Sequence, residues 1–155
     1  MAKKVEQWVK QAAELMQPEK IHWCDGSKEE AEMLIERGIN EEKLGGKPVF
    51  CRISQKEFPN SFLHRSHPKD VARTEKSTVI CHSKKELTGP NNNWMDPDEA
   101  KKMLTELSAG CMKGRTMYVM PYMMGLPDSP YAKACVQVTD SVYVAVSMGI
   151  MARMS

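Results

Sequence analysis

Apolar residues recur at helical spacing over residues 3–16. Val5, Trp8, Val9, Ala12, Leu15 and Met16 fall on one side, and Pro18 closes the run. Ile21 to Asp25 predicts a short strand, ended by the Asp25-Gly26 turn. Ser27 with Glu30 forms a capping box before Ala31, Leu34 and Ile35, with Gly38 as the expected helix stop. Asn40 is placed to cap a further helical turn through Leu44, before the Gly45-Gly46-Lys47-Pro48 break. Val49–Ile53 and Thr78–Cys81 are strand-like, and the polar stretch between them predicts loops with one helical turn near Asp70.

Composition makes Thr88–Asn93 a loop. Asp96, Pro97 and Glu99 then supply an N-cap, a favoured first-turn proline and a capping acid. The helix they start should run to about Leu107, with Met103, Leu104 and Leu107 facing inward. Thr116–Tyr122 and Cys135–Val138 are β-leaning apolar runs. Asp140 is the expected cap of a final, mostly apolar and buried helix from Ser141 to Met154. No proline or glycine stops that helix, so the segment predicts a chain that is cut rather than finished. Helices and strands mix throughout. The expected class is α/β (mixed α+β), with a mixed sheet flanked by helices.

The 155 residues suit one domain. A net charge of +2 and only 6% aromatic residues give no reason to expect a nucleic-acid partner. No apolar run reaches the roughly 18–20 residues that cross a bilayer, so no membrane association is expected. Met-Ala-Lys-Lys followed by Val5, Glu6 and Gln7 predicts no signal peptide. Five cysteines without a CxxC suit buried thiols in a reducing cytoplasm.

Candidate chemistry concentrates in two clusters. His67-Pro68-Lys69-Asp70-Val71-Ala72-Arg73-Thr74-Glu75 precedes a predicted strand, where the Arg73 fork could grip a carboxylate or phosphate through two parallel hydrogen bonds. It could equally form a surface ion pair with Glu75 or Asp70. Lys113-Gly114-Arg115 could hold an anion in a backbone nest or form a solvated turn before a core strand. No P-loop pattern occurs in the chain. His22 and Cys24 share a strand face and could supply half of a metal site, but two ligands do not complete one, so no metal site is expected.

Longer strings carry more. Gly110-Cys111-Met112-Lys113-Gly114-Arg115-Thr116-Met117-Tyr118-Val119-Met120-Pro121 closely resembles the GRTMYV-x-P segment of GTP-dependent phosphoenolpyruvate carboxykinases. Met124-Gly125, Ser129-Pro130, Thr139–Val144 and Ser147–Met154 continue in that family's order. Asp70-Val71-Ala72-Arg73 with Glu75 resembles its DVAR-x-E motif, and Asn92-Asn93-Trp94 with Asp96-Pro97 looks like its bacterial or archaeal branch. The resemblance is strong from about Asn60 to Ser155 and thinner over the first fifty residues. Val142 replaces a common proline, Leu126-Pro127-Asp128 stands where PLG is usual, and Gly149 stands where arginine is frequent.

The resemblance implies an enzyme that decarboxylates oxaloacetate and transfers the GTP γ-phosphoryl to the resulting enolate, giving phosphoenolpyruvate, CO₂ and GDP. It implies that residues 1–155 are the N-terminal, substrate-side lobe of a larger two-lobed enzyme. The nucleotide-binding C-terminal domain would be absent and the segment inactive alone. Arg73 would bind oxaloacetate or phosphoenolpyruvate, and Glu75 would orient nearby loops. GTP with Mn²⁺ and Mg²⁺ would serve the complete enzyme, with none bound here and no catalytic or metal-ligating residue in this segment. Lys113–Arg115 would be a structural turn. The alternative is a non-catalytic domain that binds small carboxylates or phosphates, or acts as an interaction module.

Overall fold

The computed structural model of the chain describes residues 2–66, 74–126 and 128–154. In chain order the elements are α1 (Ala2–Met16), β1 (Lys20–Trp23), α2 (Lys28–Asn40), β2 (Lys43–Leu44), β3 (Lys47–Pro48), β4 (Phe50–Arg52) and β5 (Phe62–His64). There follow β6 (Val79–Cys81), β7 (Asn93–Met95), α3 (Pro97–Ser108), β8 (Thr116–Met124), β9 (Lys133–Thr139), α4 (Val142–Met151) and β10 (Arg153–Met154), with 3₁₀ turns at Glu75–Ser77 and Lys85–Thr88.

The main sheet is built around β8. Along one edge β9 runs antiparallel, from Tyr118 opposite Thr139 to Met124 opposite Lys133. The other edge is shared end to end: β1 lies parallel beside Thr116–Val119, and β10 lies antiparallel beside Tyr122 and Met123. Pro121 explains the division. The Val119 carbonyl accepts from Cys24 N–H on the β1 edge. Two residues on, Pro121 turns to that same edge, where its missing N–H falls between β1 and β10.

Both faces of this sheet are covered. Tyr118 and Met120 point into one core with Cys24, Leu34, Phe50, Val142, Ala145 and Met148, drawn partly from α2 and α4. Met117 and Val119 point into the other, with Val9 and Ala12 of α1 and Met112. Four consecutive residues, Met117–Met120, are each 0% exposed, which is why this strand reads as an unbroken apolar run instead of alternating.

The caps at Ser27 and Asp96 form as the sequence predicts. Ser27 Oγ accepts from Glu30 N–H at 3.1 Å, and Asp96 Oδ1 accepts from Asp98 N–H at 2.9 Å. Other expectations need correction. Gly38 does not stop α2 but lies inside it, buried; a Cβ there would sit 2.4 Å from the Phe50 ring, so the glycine permits close approach of β4. The chain after Asn40 makes no further helical turn, because Gly45 and Gly46, at φ +59° and +80°, reverse it into the β2–β3 hairpin. The expected loop over Thr88–Asn93 contains the end of a 3₁₀ turn and the start of β7.

Met103, Leu104 and Leu107 do not face inward; all three are exposed and Ala100 is the buried residue of α3. The sheet face beneath is already occupied by α1, so α3 packs against α1 instead. Ser141, not Asp140, caps α4, its Oγ accepting from Val144 N–H. That helix ends at Met151 and leaves Ile150 and Met151 exposed. Val142 opens α4 at a position where proline is readily accommodated, and Gly149 has open space around its Cα. Of the five thiols, Cys24 is buried, Cys135 half-buried and Cys51, Cys81 and Cys111 exposed; all are free. The exposed ones sit on short outer strands and a turn instead of the core strand.

Candidate functional site

Glu75 is exposed and opens the 3₁₀ turn Glu75–Ser77. That turn is tied to the loop before β7. Asn93 Nδ2 donates to the Glu75 carbonyl at 2.9 Å and to the Thr78 carbonyl at 3.2 Å. Thr78 Oγ1 closes the turn on the Thr74 carbonyl at 2.9 Å. The parallel β6–β7 pairing sets Val79 beside Asn93 and so fixes these contacts. Between them is a hollow of about 470 Å³ lined by Glu75, Lys76, Thr78, Asn91, Asn92 and Asn93. One ammonium, one carboxylate and several amides give it a polar lining that suits a small polar ligand better than an apolar one. Arg73, like the helical turn expected near Asp70, falls within residues 67–73, outside the described residues. Glu75 makes no ion pair among the described residues.

The second predicted cluster has a different environment. Arg115 Nη1 lies 2.6 Å from Asp140 Oδ2, and Arg115 Nη2 donates to the Cys111 carbonyl. These bonds clamp the Lys113–Arg115 turn to the entry of α4, so the residues act structurally. Arg115 also lines a cleft of about 480 Å³ with Arg37, Glu41, Glu42 and Asp140. Arg37 Nε lies 3.4 Å from both Glu41 and Glu42, and its Nη2 donates to Thr116 Oγ1 at 2.8 Å. The buried Tyr118 hydroxyl donates to Glu42. Arg37 and Arg115 already face carboxylates, and the acids Glu19, Glu41, Glu42 and Asp140 balance Lys20, Arg37, Lys43 and Arg115 in the lining, so the cleft offers an anion little net positive charge.

Sequence reasoning paired His22 with Cys24 and missed a third group. Glu30, at the third position of α2, reaches back over the Asp25-Gly26 turn. Its Oε2 accepts from Asp25 N–H at 2.9 Å and Gly26 N–H at 2.8 Å, and Oε1 lies 2.7 Å from His22 Nε2. The capping box is therefore half formed, because Ser27 N–H donates to Asp25 Oδ1 instead. Burial, and then the charges of Glu30 and Asp25, push the Cys24 thiol up to about 12. Hydrogen bonds from the Ser27 backbone and hydroxyl hold the Asp25 carboxyl below its usual range. The signal for Glu30 was its place in a capping pattern immediately after a two-residue turn, which folds the helix start back onto the strand end.

The family profile described as phosphoenolpyruvate carboxykinase N-terminal domain matches residues 7–155 of the chain, so the likeness extends through the first fifty residues. Among curated proteins, phosphoenolpyruvate carboxykinase [GTP] of Anaeromyxobacter dehalogenans (strain 2CP-C) is 48% identical over 147 residues, 95% of this chain and 24% of that protein. The protein of the same name from Neocallimastix frontalis is 47% identical over 150 residues, 94% of this chain and 23% of its own length. That of Corynebacterium efficiens is 47% identical over 151 residues, 95% and 23% respectively. The chain thus spans about a quarter of the length of the curated relatives it matches.

Proposed function

Because the chain belongs to the phosphoenolpyruvate carboxykinase N-terminal domain family, we propose that it forms the substrate-side lobe of an enzyme that converts oxaloacetate and GTP to phosphoenolpyruvate, CO₂ and GDP. The observation that carries this reading is the match across residues 7–155, in which Asp70-Val71-Ala72-Arg73 and Glu75 keep the spacing of the DVAR-x-E motif. Arg73 binds the organic acid. Its guanidinium presents two parallel N–H groups to a carboxylate, which fixes the acid's orientation as well as its position. Holding oxaloacetate rigidly aligns the bond to the departing carboxylate before it breaks, and that alignment lowers the barrier without direct chemistry by the arginine.

Glu75 orients the turn that follows. Its place at the rim of the polar hollow, two residues beyond Arg73, supports a part in setting the loops around the acid. GTP, Mn²⁺ and Mg²⁺ belong, in this proposal, to the three quarters of the relatives' length that lies outside the match. They would supply the phosphoryl group and neutralise the developing enolate charge. This segment alone is then inactive. Five free thiols favour a reducing cytoplasm as its setting.

Two measurements test the proposal. The chain alone, given oxaloacetate, GTP and Mn²⁺, should show no turnover; sustained phosphoenolpyruvate formation would mean that the nucleotide and metal sites have been misassigned. In the complete enzyme Arg73→Ala should raise the KM for oxaloacetate about tenfold or more, since hydrogen bonds between charged partners contribute about 1.5–3 kcal/mol each. An unchanged KM removes Arg73 from the site.

A further inference from the structure

His22, Cys24 and Glu30 offer one imidazole nitrogen, one sulfur and one carboxylate oxygen, all within 4.8 Å of one another. Neither the Glu75 hollow nor the Arg37–Arg115 cleft includes any member of the trio. We propose that these three side chains form a binding site for a thiophilic divalent cation of the zinc type.

Three independent features lead there. The first is how the chain fixes the donors. His22 and Cys24 are separated by one residue, so they project from the same face of the strand that leads into the Asp25-Gly26 turn. Cys24 is held in line by its N–H bond to the Val119 carbonyl at 2.8 Å. Glu30 is held by the two backbone N–H bonds to Oε2, which leaves Oε1 directed at His22. Gly26 cannot be replaced without disturbing this turn: it has φ +73°, and a Cβ would sit 2.7 Å from Met154 Cβ. Preset donors of this kind lose little conformational entropy when an ion binds.

The second feature is ligand chemistry. A tetrahedral zinc with bonds of about 2.0–2.3 Å keeps its donors roughly 3.3–3.7 Å apart. The trio's donors lie within 4.8 Å of one another, with His22 Nε2 and Glu30 Oε1 at 2.7 Å, so binding an ion requires side-chain rotations that part this pair and draw in the sulfur. One sulfur, one nitrogen and one carboxylate oxygen leave a fourth position open to water. A thiolate and an imidazole select a borderline or soft cation over Mg²⁺ or Ca²⁺.

The third is charge. Glu30 and Cys24 are buried, whereas His22 is part-exposed and gives the cation a path from solvent. Glu30 also lines a groove of about 220 Å³ with Gly26, Leu34 and Ala145. With the cation bound, one thiolate and one carboxylate cancel its two positive charges, so the buried cluster carries no net charge. The protons balance simply: the thiol releases one to solvent, and the imidazole ligates through Nε2 while carrying its remaining proton on Nδ1.

The test is Co²⁺ titration of the complete, reduced polypeptide, with Cys24→Ser as the paired control. The expected result is near-ultraviolet thiolate-to-cobalt absorption that saturates at one ion per chain, is bleached by equimolar Zn²⁺ and is absent in Cys24→Ser. Glu30→Gln should weaken binding about tenfold or more, on the scale of lost support at metal sites. Because Glu30→Gln could also loosen the turn, X-ray absorption of the unsubstituted protein with one equivalent of Zn²⁺ gives a second reading. A shell of one sulfur with nitrogen and oxygen supports the site. Absorption that persists in Cys24→Ser assigns the ion to another thiol and overturns the proposal, as does a zinc shell without sulfur. A trio that is only a hydrogen-bonded latch between β1 and α2 gives that second outcome.

Discussion

The strand β8 and the stretch from Ile53 to Asp96 use their apolar residues in opposite ways. Met117–Met120 are wholly buried between two helical layers. In the second stretch β5, β6 and β7 are three residues long, pair only two at a time, and leave Phe58, Leu63, Ile80 and Leu87 exposed. The first region has the packing of a scaffold, while the second is held mainly by side-chain bonds to backbone, such as those of Asn93. Substrate-binding groups are commonly carried on such loops and short strands over a rigid base. Arg73 and Glu75 both fall in the second region.

The contrast breaks most sharply if the two regions respond alike to substitution. Met120→Ala should cost about 2–5 kcal/mol in urea unfolding, because a 0%-exposed side chain leaves a cavity that neighbours fill only in part. A loss below about 1 kcal/mol would mean that β8 is not the scaffold.

Next in size is the alkaline limb. Cys24 is raised from 9.0 to about 12, and the Tyr118 hydroxyl is raised also, by burial first and then by its bond to Glu42. Across this window the folded chain retains protons that the unfolded chain has released, so stability falls as pH rises. For Cys24 alone the slope is about 1.4 kcal/mol per pH unit. Cys24→Ser should flatten that slope in unfolding curves measured from pH 8.5 to 11. An unchanged slope would place the thiol in water.

The smallest expected effect is the most informative about function. Glu75→Gln, at an exposed side chain, should change stability by less than about 0.5 kcal/mol. In the complete enzyme it should still raise the KM for oxaloacetate. Destabilisation on the scale of Met120→Ala, with kinetics unchanged, would turn Glu75 into a structural residue.

The parts of this fold that were legible in the sequence are those whose causes are local. Asp96, Pro97 and Glu99, neighbours in the chain, mark the start of α3, and an unbroken run from Thr116 marks β8. The strands β5 and β7 were not legible, because three-residue strands exist through their partners β4 and β6 and carry too few positions to show a period. The inward face of α3 was misjudged because helical spacing reveals an apolar stripe but not whether the surface beneath is already taken. Arg73 and Glu75 stood out through motif spacing. The polar hollow beside Glu75 did not, since it depends on Asn93 crossing to the Glu75 carbonyl. Glu30 read only as a capping acid; its second role depends on the short turn that folds it back toward His22.

The end-to-end sharing of one β8 edge also shapes how the chain reaches its native state. The β8–β9 hairpin can close through a short connection, but β1 must find its place from the far side of most of the sequence. Such non-local pairing loses loop entropy before it gains contacts, and so it forms slowly. Until it forms, a hydrophobic strand lies unpaired along one side, the kind of edge on which another chain can pair.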